Sequence, residues 1–231
     1  MNNALFITGT DTGVGKTVIT GLLARLLTER GIKVITQKWV QTGCAGISED
    51  VAAHMRFMAG DEKHMEKYRS DMAPYVLEFP SSPHLAALLA KIHIDAGRIE
   101  SSFRRLAEKF DFIIVEGTGG PLVPLNDEEM IVDVVKRLRL SVLVVAENRL
   151  GAINQTLLTV NALRERDLEV VGIAFNRLSE KGDEIIFKDN LRIVETLTGE
   201  KVFGELRRCT DAQELYRAFL PIGERILKEL K

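Results

Sequence analysis

Two lysines and a buried-strand carboxylate carry most of the chemistry that can be read from this chain. Lys16 lies in the segment Gly9-Thr-Asp-Thr-Gly-Val-Gly-Lys-Thr17, where an apolar run, Leu5 to Gly9, enters a glycine-bearing loop and Lys16-Thr17 opens an amphipathic stretch. Such a loop turns backbone N–H groups toward an anion at a helix N-terminus, so it reads as a phosphate-binding loop. Lys16 would reach the terminal phosphates of a nucleotide, and the Thr17 hydroxyl would face Mg2+. Gly13, Val14, Gly15 and Val18 complete the nucleotide-side set. The spacing departs from the commonest form of these loops. Position 10 is Thr10, and the first glycine, Gly9, stands one residue earlier.

Lys38 closes a second strand candidate, Lys33 to Lys38, and Glu116 closes a third, Phe112 to Glu116. Both fall at carboxyl ends of expected strands, the edge of an open parallel sheet where ligands bind. Two lysines beside one phosphate offset the repulsion between an anionic nucleophile and an anionic γ-phosphate, and they stabilise charge on the moving group. A carboxylate after this third strand can hold Mg2+ directly or through water. The plainer alternatives are a solvated strand-end lysine and a capping glutamate. Asp50, ahead of an expected helix Val51 to Met58, reads by itself as an N-cap. The four histidines, His54, His64, His84 and His93, share no metal-ligand spacing, and only His84 is given a role, that of shaping a pocket through the Ser82-Pro83-His84 turn.

These residues need a scaffold, and the hydrophobic pattern supplies one. Further strands are expected over Val142 to Ala146, Val170 to Asn176 and, more weakly, Val202 to Leu206. Runs such as Phe112-Ile113-Ile114-Val115 are continuously apolar, as in strands covered on both faces. Helical periods fill the gaps at Lys16 to Arg30, Glu129 to Leu138, Ile153 to Arg166, Ile185 to Leu197 and Ala212 to Leu230. The alternation predicts an α/β fold: a doubly wound, mostly parallel sheet with helices on both faces, one domain over 1–231. The stretch from about 44 to 105 is irregular, with Pro74, Pro80 and Pro83, and is expected to be an insertion that covers a substrate or forms an interface.

Composition narrows the class. Lys and Arg number 31 and Asp and Glu 33 in 231 residues, a formal net charge of −2, so no global basic field attracts nucleic acid or an anionic membrane. Cys44 and Cys209 are too few for a disulfide framework. No apolar run has the length of a membrane span, and no secretory leader is evident. A cytoplasmic protein without a nucleic-acid or membrane partner is expected.

Five segments, in order, resemble dethiobiotin synthetases of the P-loop NTPase superfamily. The loop Gly9-Thr-Asp-Thr-Gly-Val-Gly-Lys-Thr17 is similar to that family's GTDTxVGKT. Lys38-Trp39-Val40-Gln41-Thr42-Gly43 resembles its K-P-V-x-[ST]-G, and Val115-Glu116-Gly117-Thr118-Gly119-Gly120 its VEGxGG. Ser82-Pro83-His84 and Leu150-Gly151-Ala152-Ile153-Asn154 match in order and spacing. The resemblance implies closure of a cyclic urea on 7,8-diaminopelargonate with CO2 (or bicarbonate), ATP and Mg2+, giving dethiobiotin, ADP and phosphate in biotin biosynthesis. It implies a homodimer whose active site spans two subunits.

Residue roles carry over with it. Thr17, Asp50 and Glu116 are implied as magnesium contacts. Lys16, Lys38 and Thr12 are implied as catalytic groups. Lys38, Thr42, Gly119, Gly151 and Asn154 are implied as substrate contacts, the last two from the neighbouring subunit. Asn176 is implied as the adenine reader, although by itself an Asn there could simply cap a turn. Three positions depart from the family: Gly13 stands where many members have glutamate, Trp39 replaces a proline and adds bulk beside the site, and Arg207 replaces a proline near the base. Two rivals remain at this stage. The synthetase half of a cobyrinate amidotransferase would need a glutaminase domain. A partitioning-type ATPase acting as a nucleotide switch would usually carry a second lysine inside the loop, where this chain has Asp11.

Overall fold

The computed structural model describes residues 3–58, 66–179 and 182–230. Its centre is a six-stranded sheet of β1 (Ala4–Gly9), β2 (Val34–Lys38), β5 (Phe112–Glu116), β6 (Ser141–Glu147), β7 (Val170–Arg177) and β8 (Val202–Arg207). The order is β2-β5-β1-β6-β7-β8, and every described pairing is parallel. β1 and β5 are buried along their whole length, in keeping with their largely apolar sequences. Burying each large side chain there, such as Phe6, Ile7 or Ile114, contributes about 1.5–3 kcal/mol.

Helices cover the sheet: α1 (Lys16–Glu29), α2 (Glu49–Met58), the short α3 (Arg69–Met72), α4 (Pro83–Ala90), α5 (Ala96–Ala107), α6 (Ile131–Leu138), α7 (Ala152–Arg164), α8 (Glu184–Thr198) and α9 (Ala212–Glu229). The chain leaves β1 toward β2 on one side and leaves its neighbour β5 toward β6 on the other. The winding reverses there, so a crevice opens at the carboxyl ends of β1 and β5. The doubly wound parallel fold anticipated from the sequence is present, with strand ends within a residue or two of those expected.

The stretch expected to be irregular is more ordered than its prolines suggested. β3 (Val40–Thr42) and β4 (Tyr75–Leu77) form a separate two-stranded parallel sheet. Such three-residue strands give too short a pattern to be seen in sequence. α5 is held by an N-cap, with the Asp95 carboxylate accepting from the Gly97 N–H at 2.8 Å. α2 begins at Glu49, so Asp50 lies inside its first turn and is not the cap. The Ser48 hydroxyl takes that role, accepting the Val51 N–H at 3.2 Å. Among the described residues no helix is long and apolar enough to cross a membrane.

Candidate active site

The loop after β1 wraps back on itself. Lys16, at the first position of α1, is buried, and its ammonium donates to the Asp11 carbonyl at 2.9 Å. Gly15 has φ 94°, a left-handed conformation that side chains strain to adopt, and a Cβ there would collide with the Asn176 amide. Gly13 is also left-handed, φ 77°, but the space around it is open. Thus the departure at Gly13 serves the turn of the loop, while Gly15 serves both the turn and close packing. Gly9 N–H bonds to the Gly119 carbonyl at 3.3 Å, which ties this loop to the glycine loop after β5. Thr118 secures the other side, its hydroxyl donating to the Val40 carbonyl at 2.5 Å.

Lys38 and Glu116 are register partners on β2 and β5. The Lys38 ammonium lies 2.7 Å from Glu116 Oε1 and 2.7 Å from Asp50 Oδ2, and it donates to the Gly117 carbonyl at 3.1 Å. Lys38 is only 4% exposed, so it is not a solvated strand end. Glu116 is buried too and is not a cap. Thr17 reaches the same group, its hydroxyl 3.1 Å from Glu116 Oε1 and 3.4 Å from Asp50 Oδ1. Neighbouring oxygens in a magnesium octahedron with bonds of about 2.1 Å lie roughly 3 Å apart. The Thr17 hydroxyl stands at about that spacing from both carboxylates, and an all-oxygen donor set of this kind suits a hard divalent cation. Among the described residues no group of three or more His, Cys, Asp or Glu side chains is placed to hold a metal ion by itself.

The charges are tightly coupled. Burial opposes ionisation of Glu116, but the facing Lys38 ammonium and the His54 hydrogen bond outweigh it and hold the carboxyl well below the usual range. Burial likewise opposes the charge on Lys38, and Glu116 and Asp50 overcome it, raising its pKa. Lys16 lacks so close a partner. Burial, reinforced by the nearby Lys38 charge, lowers it to about 8.

Asn176, near the end of β7, is buried beside Gly15. Its Nδ2 donates to the Val14 carbonyl at 2.8 Å, and its Oδ1 has no partner among the described residues. Next to it lies a cavity of about 440 Å3 lined by Gly15, Val18, Asn176, Arg177, Leu206 and Leu215 among others. Its volume suits a nucleotide base. Arg207 lines it as well, paired with Glu184 and Glu205, so the departure from proline places a tethered guanidinium at the rim. Thr12 is exposed on the loop, and Thr42 is half-buried at the end of β3. A Cβ on Gly119 would approach the Thr12 hydroxyl to 3.5 Å, which brings those two together. Gly151 and Asn154 are exposed at the start of α7 beside Leu150, itself 80% exposed.

Trp39 corrects the expectation of bulk beside the site. It is fully buried and packs on Phe6 with ring centroids 5.1 Å apart, and its indole N–H donates to Gln37 Oε1 at 2.9 Å. Its side chain points into the core. The residue that sequence reasoning missed is His54. It is wholly buried, with Nε2 2.6 Å from Glu116 Oε2. The available signal was its spacing from Asp50, four residues on, which places both on one face of a helix. His64, dismissed along with it, lies outside the described residues.

A family model described as an AAA domain matches residues 3–214. The ATP-dependent dethiobiotin synthetase BioD of Chlorobaculum tepidum is 42% identical over 87% of this chain and 83% of its own length. The ATP-dependent dethiobiotin synthetase BioD 2 of Haemophilus influenzae is 40% identical over 82% of this chain and 99% of its own. Among solved structures, the cell division ATPase MinD of Pyrococcus furiosus superposes with a TM-score of 0.60 at 17% identity, covering 99% of each chain. That last likeness concerns the fold alone.

Proposed function

The chain belongs to the dethiobiotin synthetase family, and we propose that the carboxyl edge of its sheet performs ATP-dependent ring closure on 7,8-diaminopelargonate by the division of labour that follows. The enzyme is a cyclo-ligase acting with ATP in biotin biosynthesis. The observation that carries the assignment of roles is the placement of Lys38, a buried lysine held between Asp50 and Glu116.

One amine of the diamine adds to CO2, forming a carbamate and releasing a proton. A carbamate oxygen then attacks the γ-phosphorus of ATP, and ADP leaves. The second amine attacks the resulting carbamoyl phosphate at carbon, and expulsion of phosphate closes the cyclic urea. Lys16 and the loop N–H groups of Gly13, Val14 and Gly15 hold the phosphates. Lys38 leans toward the transferring group and offsets the meeting of two anions. Thr17, Asp50 and Glu116 would hold Mg2+, which would supply charge neutralisation to the phosphates. Thr12, Thr42 and Gly119 position the carbamate, the two threonines as hydroxyl donors rather than nucleophiles. Asn176 and Val18 receive the base.

Gly151 and Asn154 are assigned to the substrate's carboxylate in a neighbouring subunit. Their exposure at a helix start, beside the exposed Leu150, supports a contact made across a dimer rather than within one chain. The test is phosphate release with ATP, Mg2+ and bicarbonate, with and without 7,8-diaminopelargonate, and mass spectrometry of the product. Release that needs the diamine, together with a new cyclic urea, is expected. Release indifferent to the diamine would instead favour a nucleotide switch.

A further inference from the structure

We propose that His54 is a positioning residue for magnesium: it holds Glu116 so that only Oε1 faces the nucleotide-bound cation. The inference rests on the reading of Glu116, Thr17 and Asp50 as the metal-binding set.

The two oxygens of Glu116 are divided. Oε1 faces Lys38 at 2.7 Å and Thr17 at 3.1 Å, whereas Oε2 is 2.6 Å from His54 Nε2. With a carboxylate as partner, the Nε2–H tautomer of His54 is the one that makes this short contact a hydrogen bond, the imidazole donating. His54 is 0% exposed, and its Nδ1 has no partner among the described residues, so the contact to Glu116 is what anchors the buried ring. A carboxylate tethered at one oxygen loses its freedom to rotate and to chelate through both. Outer partners of this kind orient metal-binding carboxylates and set their affinity.

The packing around His54 is arranged for this. α2 carries Asp50 and, one turn later, His54, so a single helix delivers one carboxylate and orients the other. α2 lies against α1 at Gly21, where a Cβ would come within 3.2 Å of His54 Cα and strike Phe57. Thus α1, which presents Lys16 and Thr17, is held at close range to the helix that fixes Glu116.

The experiment is equilibrium binding of a fluorescent ATP analogue during Mg2+ titration and in EDTA, on wild type and on His54→Leu, His54→Asn and His54→Gln, with melting temperatures for each. Gln keeps an N–H at similar reach, Leu removes it and Asn shortens it. All should bind nucleotide in EDTA as wild type does. Leu and Asn should raise the Mg2+ concentration for half-maximal tightening by roughly ten- to hundredfold, and Gln should stay near wild type. If Leu does not fold, the Asn and Gln pair decides. Midpoints within about twofold of wild type for Leu or Asn would overturn the proposal, as would a Gln variant impaired as much as Asn at unchanged melting temperature. The assay contains no diamine. A wild type that binds Mg2+ and ATP but makes no cyclic urea would defeat the reaction proposed above and leave the His54 result standing.

Discussion

The Lys38 ammonium and the Glu116 carboxylate face each other at 2.7 Å as register partners on adjacent strands, both out of contact with bulk water. Two opposite charges in that position are worth little to stability as a pair, but removing one leaves the other uncompensated. Lys38→Gln is therefore expected to lower unfolding free energy by about 3 kcal/mol in urea titrations. Turnover should fall at least ~100-fold while ATP affinity changes by less than about fivefold, because the charge acts on the transferring group. The double variant Lys38→Met with Glu116→Gln should recover stability without recovering turnover. Turnover of Lys38→Gln within a few-fold of wild type would remove Lys38 from the reaction.

Lys16 presents the opposite balance. Its pKa falls from 10.5 to about 8 on folding, chiefly through burial and secondly through Lys38. Between those values the unfolded chain binds more protons, so stability rises with pH across that interval. The penalty is fully present below about pH 8 and is relieved as pH climbs toward 10.5. Its upper size is about 3 kcal/mol, reduced by the hydrogen bond to Asp11. In nucleotide-free, metal-free protein, Lys16→Met should therefore be more stable than wild type at pH 7 by about 1–2 kcal/mol, with the advantage shrinking toward pH 10. The same variant should lose ATP binding. Denaturant unfolding at several pH values checks the first statement, and calorimetric titration with ATP checks the second. A variant less stable than wild type at pH 7 would mean that the Lys16 charge is already compensated in the empty loop.

Much of this was legible in the sequence, and the reasons differ by residue. Strand ends were readable where a continuous apolar run such as Phe112 to Val115 leaves a polar residue only at its terminus, as at Glu116. The loop was readable because Lys16 and Thr17 sit at a strand-to-helix junction that few other functions require. His54 was not, because a lone histidine on a helix carries no motif and its partner lies 62 positions away. Trp39 was misjudged for a related reason. Position next to Lys38 suggests the site, but successive side chains along extended backbone point to opposite sides, so Trp39 faces Phe6 while Lys38 faces the carboxylates. The β3–β4 pair escaped because a three-residue strand has no period to detect.

The placement of Trp39 makes a prediction of its own. Truncating a fully buried tryptophan removes a large apolar volume, and here it also leaves Gln37 Oε1 without its donor. Trp39→Ala should cost about 3–5 kcal/mol in unfolding experiments, and Trp39→Phe about 1–2 kcal/mol, since the stack on Phe6 is kept. Neither should change KM for ATP more than about twofold at a temperature where the variant is folded. A large KM change with little loss of stability would return Trp39 to the ligand side.

Asn176 tests base recognition. One end of its amide is spent on the Val14 carbonyl, and the other, Oδ1, is buried without a partner at the edge of the cavity. Leaving such an acceptor unpaired costs about 1–3 kcal/mol, and a ligand that donates to it recovers that amount. The exocyclic amine of adenine is such a donor. Guanine carries a carbonyl at the same place and would set two acceptors against each other. A site built to bond a polar group discriminates strongly against a ligand that lacks it. Asn176→Ala should therefore raise KM for ATP roughly tenfold and, more tellingly, bring the ATP and GTP values of kcat/KM closer together by a similar factor. Asn176→Asp should be worse for ATP, because the carboxylate cannot donate to Val14 and sets a negative charge beside the phosphate loop. The measurement is steady-state kinetics with both nucleotides on wild type and the two variants. If the ATP-to-GTP ratio of kcat/KM stays within about twofold of wild type in Asn176→Ala, the base is read elsewhere, and the tethered Arg207 at the rim becomes the residue to substitute next.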